Sequence, residues 1–109
     1  MKKLTLTALV LGLGAMLPLM AADAAANYKA HCAKCHGADG AGKTKMGQKA
    51  GCKDYTNADV QAKLNDDHAF KSLKQGMKEG DKELMAAFGE KLSDDEIKAL
   101  IAYMRTFKK

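Results

Sequence analysis

Cys32-Ala33-Lys34-Cys35-His36 constrains this chain more than any other feature it has. Two thiols three residues apart share one face of a helix, and an imidazole follows the second directly. That spacing lets both sulfurs reach the two vinyl groups of one porphyrin and leaves the imidazole beneath the iron. The motif therefore predicts a covalently attached c-type haem, with Cys32 and Cys35 as anchors and His36 as proximal ligand. Three other chemistries use the same letters. A plain disulfide needs only the cysteine pair. A thioredoxin-like redox site needs a βαβ setting, and no strand pattern is legible here. A zinc site needs a second Cys/His pair at matching spacing, which Cys52, His31 and His68 do not make.

With 109 residues the chain has room for one small domain, and none for a Rossmann unit with a substrate domain or for several membrane spans. Its start reads differently from the rest. Met1-Lys2-Lys3 is basic, Leu4 to Met20 carries no charge, and Ala21-Ala22-Asp23-Ala24-Ala25-Ala26 offers small residues for cleavage. This is the layout of a secretory signal peptide, expected to occupy residues 1–24 and to leave a domain of residues 25–109. Cuts after Ala22 or Ala26 also fit. The competing reading is an uncleaved anchor, whose apolar run sits at the lower limit for a span. Export places the domain in the periplasm, an oxidising compartment. With three tyrosines, three phenylalanines and no tryptophan, so small a domain buries a thin core and needs a staple. A covalent haem supplies one.

The pattern of elements predicts an all-α fold, since no segment alternates with period two. Ala24 to Cys35 favours helix. Gly37, Gly40, Gly42, Gly47 and Gly51 then predict a loop, too glycine-dense for a helix interior. Asn57 is placed to cap a short helix carrying Val60 and Leu64. Asp66 is placed to cap another bearing Ala69, Phe70, Leu73 and Met77, with Gly76 as its stop. Ser93-Asp94-Asp95-Glu96 reads as a capping box. Beyond it, Ile97, Leu100, Ile101, Met104 and Phe107 form an apolar stripe with Tyr103 alongside.

A second axial ligand is needed for six-coordinate iron, and a thioether raises the reduction potential. Met104 belongs to the apolar stripe. Met46 lies in the glycine loop, close to the attachment motif and badly placed for the opposite iron face. Met77 continues the Phe70/Leu73 stripe and reads as core. Met85, in Glu83-Leu84-Met85-Ala86-Ala87-Phe88-Gly89, lies far from Cys32, and spacing alone leans only slightly toward it. His68 is the alternative that would give bis-histidine coordination.

Three segments together resemble a class I cytochrome c: Cys32 to Gly37, Met85 to Gly89, and Leu92-Ser93 with Ile97 through Tyr103 to Arg105. The small periplasmic monohaem type (c6-like or c551/c553-like) is the most similar. The resemblance implies a few short helices wrapped round one covalently bound haem, with N- and C-terminal helices crossing at Tyr28 and Tyr103. It implies His36 as proximal and Met85 as distal iron ligand. Two departures stand out. Ala86 follows Met85 where the family often has proline, so a fixed φ is missing. No proline follows the haem motif either, so the acceptor that orients the proximal imidazole is unidentified.

Other residues read as less specialised. Cys52, beside Gly51, reads as a small packed residue, with an intermolecular disulfide as the alternative if exposed. His31 reads as solvent-facing. Lys34, Lys43, Lys45, Lys49 and Lys53 crowd the haem loop in a chain of net charge +5. They read as a solvated face that also steers acidic redox partners. Without interleaved aromatics, nucleic-acid binding does not fit. Together these features predict a monomeric, periplasmic single-electron carrier between respiratory redox proteins, not an enzyme. The alternative is a haem sensor or weak peroxidase whose distal ligand leaves to admit a small molecule.

Overall fold

Alanines without an intervening glycine carry the chain to the attachment motif as a helix, α1 (Met16–His31). The computed structural model describes residues 16–109, with side chains from Asp23 onward. The basic start and most of the apolar run of the expected signal segment lie outside those residues. A turn at Cys32 separates α1 from the short α2 (Ala33–His36), yet the helical bonds carry across it. Cys32 N–H donates to Tyr28 O at 2.8 Å, and His36 N–H to Cys32 O at 2.9 Å.

α3 (Lys45–Ala50), α4 (Ala58–Lys63) and α5 (Asp66–Gln75) follow. The Asn57 side chain accepts from the N–H groups of Asp59 and Val60, as expected of a cap. The cap of α5 lies one residue earlier than the sequence pattern predicts. Asn65 is the cap, accepting from His68 N–H, and Asp66 opens the first turn, where an acid suits the helix dipole. Gly76 stops α5 at φ +78°.

The expected all-α content needs a correction, because the chain past Gly76 is extended. β1 (Met77–Glu79) and β2 (Lys82–Met85) form an antiparallel hairpin whose register pairs Met77 with Met85, irregular between Met77 and Lys78. The strands are three and four residues long, too short for an alternating pattern to stand out. The second strand buries neither face fully, so no periodic signal exists to read. Met77 is consequently no core residue; it is 42% exposed. The fold is mostly helical with one small sheet.

α6 (Asp94–Arg105) carries the capping box in full: Ser93 Oγ accepts from Glu96 N–H, and Glu96 Oε1 accepts from Ser93 N–H. Its stripe of Ile97, Leu100, Ile101 and Met104 is buried, with Ile97 and Leu100 wholly so. Each fully buried aliphatic side chain of this kind contributes about 1.5–3 kcal/mol of apolar stabilisation, which applies to Ile97 and Leu100. α6 packs on α1 through Tyr28, whose ring lies 5.3 Å from Tyr103 and 5.0 Å from Phe107. Cys32, Leu73, Phe88 and Leu92 complete the core around that contact.

Candidate functional site

The attachment motif is held from two sides. The Tyr28 hydroxyl, buried at the α1–α6 contact, donates to Gly37 O at 2.6 Å just past His36. The Thr44 hydroxyl donates to Cys35 O at 2.6 Å and accepts from Gly47 N–H at 2.9 Å, capping α3. A glycine inside α3 contradicts the expectation that Gly47 belongs to an irregular loop. Its reason is contact: a Cβ there would meet Cys35 O, Gly42 O and Thr44 Oγ1. Closeness to α2, not backbone freedom, requires glycine at that position. Gly42 does make the expected turn, at φ +70°, bonded from its N–H to His36 O at 2.8 Å.

Cys32 is buried within the core, whereas Cys35 is half-buried. No disulfide joins the cysteines among the described residues. Burial, then the neighbouring Cys35, pushes the Cys32 thiol up to about 11, so it is a protonated thiol at neutral pH. Burial lowers the His36 pKa, which keeps the imidazole neutral and its lone pair available to a metal. Its Nδ1 is buried without a hydrogen-bond partner among the described residues. The acceptor that the sequence left unidentified is thus absent from the protein atoms around it. The Tyr55 ring lies against the imidazole instead, 5.7 Å between centroids at 41°.

Burial sorts the methionines. Met104 is 6% exposed and belongs to the core, while Met46 is 46% exposed on α3. Met85 is half-buried and packs on the core cluster that contains Cys32. Its segment is fastened to α5: Phe88 N–H donates to Leu73 O at 2.9 Å and Gly89 N–H to Lys74 O at 3.1 Å. Gly76 closes the same joint, since a Cβ there would meet Met85 O at 2.8 Å and Ala87 N at 2.9 Å. These contacts fix the backbone that lacks a proline at position 86.

His68 is exposed on α5. It lines a surface cleft of about 500 Å³ with Lys53, Tyr55, Val60, Lys63, Leu64 and Asn65. Tyr55 therefore stands between that cleft and His36. His31 is exposed as expected, its ring 5.7 Å from Phe88. Cys52 is half-buried, and burial with nearby Cys35 raises its thiol pKa. Lys34, Lys43, Lys45, Lys49 and Lys53 are all exposed, a solvated basic face beside the motif.

Two thiols, a neutral imidazole with a buried second nitrogen, and a thioether packed toward one apolar core are a donor set that fits a covalently held haem iron. Thr44 and Tyr55 contact the motif although the sequence pattern did not single them out; only Thr44, directly ahead of Lys45, carried a recognisable cap signal.

The family described as cytochrome C oxidase, cbb3-type, subunit III matches residues 20–104. A solved structure described as KustC0563 c-type cytochrome is 38% identical, with 80% of this chain and 99% of that chain covered at a TM-score of 0.69. A second, described as a tyrosine-to-phenylalanine mutant of Kustc0563, is 35% identical over 79% of this chain and 99% of that chain, also at 0.69. No curated protein matches the chain.

Proposed function

We infer the function from one premise: the chain belongs to the c-type cytochromes, as a small class I member of the cbb3-type subunit III family. Such a protein holds haem c covalently and transfers electrons with redox partners. Beyond that, we propose a periplasmic, monomeric carrier that moves single electrons between larger respiratory proteins and transforms no substrate. The expected signal segment supports export. Among the described residues, no helix is long and apolar enough to cross a membrane.

In this reading Cys32 and Cys35 are the thioether anchors, His36 is the proximal ligand and Met85 the distal one. When bound, haem c supplies a one-electron couple between ferrous and ferric iron. The residues set its environment. His36 offers a neutral imidazole, Met85 a thioether that favours the ferrous state, and the Tyr28/Phe88/Leu92 core keeps water from the buried side. The exposed lysines about the motif present positive charge to a partner with an acidic docking surface, which speeds encounter at low salt.

The observation that carries the ligand assignment is the burial of Met85 against the cluster containing Cys32, with Met77 left 42% exposed. Replacing Met85 by Ala abolishes the thioether-to-iron charge-transfer band of the ferric protein, and Met77→Ala leaves it in place. The reverse pattern overturns the assignment. The firm attachment of residues 85–89 to α5 favours the carrier over a sensor with a displaceable ligand, so carbon monoxide should bind the ferrous protein slowly or hardly at all.

A further inference from the structure

We propose that Tyr55 is a positioning residue for the His36 imidazole, and that Gln61 and Arg105 hold Tyr55 in that position. The proposal rests on the reading of His36 as an axial ligand.

A metal-bound imidazole usually has its second nitrogen bonded to an acceptor, and that bond fixes how the ring is rotated about its bond to the metal. In this chain Nδ1 of His36 is buried and finds no acceptor among the described residues. Rotation must be limited by packing, and the Tyr55 ring lies at contact range, tilted 41° to the imidazole.

A packed ring can orient its neighbour only if it is itself held. Tyr55 is held at both ends of its backbone. Its N–H donates to Gly40 O at 2.9 Å, and its carbonyl accepts from Gln61 Nε2 at 2.7 Å. Gln61 is 5% exposed, a buried amide in a small domain where an apolar side chain would be the ordinary choice. Its Nε2 also donates to Met104 O at 2.9 Å on α6, and its Oε1 accepts from Arg105 at 3.2 Å. Arg105 donates further to Gln61 O at 2.6 Å, Leu64 O at 2.7 Å and Asp66 Oδ1 at 2.6 Å. One chain of hydrogen bonds therefore runs from α6 through Arg105 and Gln61 to Tyr55. The same helix that packs on α1 is thereby bonded to the residue beside the imidazole.

The direction of an axial imidazole plane governs the order of the haem-methyl proton shifts and the g-values of low-spin ferric iron. The test reads both in the haem-loaded ferric protein. Tyr55→Phe keeps the ring and should retain the methyl order of the unaltered protein. Tyr55→Leu removes it and should change that order, while Gln61→Leu should move the shifts in the same sense by less. A Tyr55→Leu protein with unaltered methyl order and g-values overturns the proposal, as does a Tyr55→Phe protein that moves equally far. If Tyr55→Leu takes up no haem, Gln61→Leu decides, and unchanged shifts there overturn it. An unaltered protein in which the hyperfine-shifted imidazole signals do not include those of His36 would overturn the reading of His36 itself. His36 signals that stay put on loss of the Tyr55 ring overturn the proposal alone.

Discussion

The Thr44 hydroxyl donates to the main-chain carbonyl of Cys35 at 2.6 Å, so the cap of α3 is bonded directly to the segment bearing the thiols. Thr44→Val removes this bond and the cap together. Loss of a cap of this type costs about 0.5–2 kcal/mol, and denaturant unfolding should show a drop of that size. Thr44→Ser should recover most of it.

Gly47 lies within α3 and Gly51 caps its C-terminal end, and each is glycine for a different reason. Gly47→Ala places a methyl group against the carbonyl of Cys35 and against Gly42 O at 2.8 Å, both backbone atoms that cannot swing aside. Overpacking of this kind costs about 1–3 kcal/mol and should push α3 off α2, lowering the yield of haem-loaded protein. Gly51→Ala meets nothing within 4 Å, but φ of +74° leaves a strain of about 1–2 kcal/mol without that loss of yield. Thermal melts and haem-to-protein absorbance ratios separate the two.

The motif, α6 with its capping box and the Asn57 cap are legible in the sequence because each rests on local chemistry at fixed spacing, whereas the Tyr28–Tyr103 contact follows only from the resemblance to class I cytochromes c. The hairpin is not legible, since its strands are too short to alternate, and Met77 reads as core for the same reason. Nor is α3, because Gly47 looks like a breaker until the carbonyl of Cys35 is seen against it. Tyr55, Gln61 and Arg105 are hidden for a third reason. Arg105 and Gln61 are bonded across 44 sequence positions, and no local pattern encodes such a pair.

Glu96 makes stability depend on acid. Its bonds from the Ser93 backbone, then from the side chains of Asn27 and Ser93, hold its carboxyl below the usual range. A depressed pKa contributes stability that is complete above the unfolded-state value and lost as pH falls through the folded one. Glu96→Gln should therefore flatten the acid limb of a stability–pH curve measured by chemical denaturation. An unchanged limb would remove Glu96 from the cause.

Tyr28 both packs and bonds. Tyr28→Phe keeps the ring contacts and removes one of the two bonds to Gly37 O, which still accepts from Gly40 N–H at 3.1 Å, a loss of about 0.5–1.5 kcal/mol. Tyr28→Ala also vacates the α1–α6 contact, and a large aromatic removed from a core costs about 3–5 kcal/mol. Comparative unfolding of the two variants should show that order.

The mass of the exported, purified chain after acidified-solvent extraction is the most direct measurement. One tetrapyrrole retained on the polypeptide, and lost on replacing both Cys32 and Cys35 by Ala, is the predicted result. A chain whose mass corresponds to bare polypeptide would contradict the account.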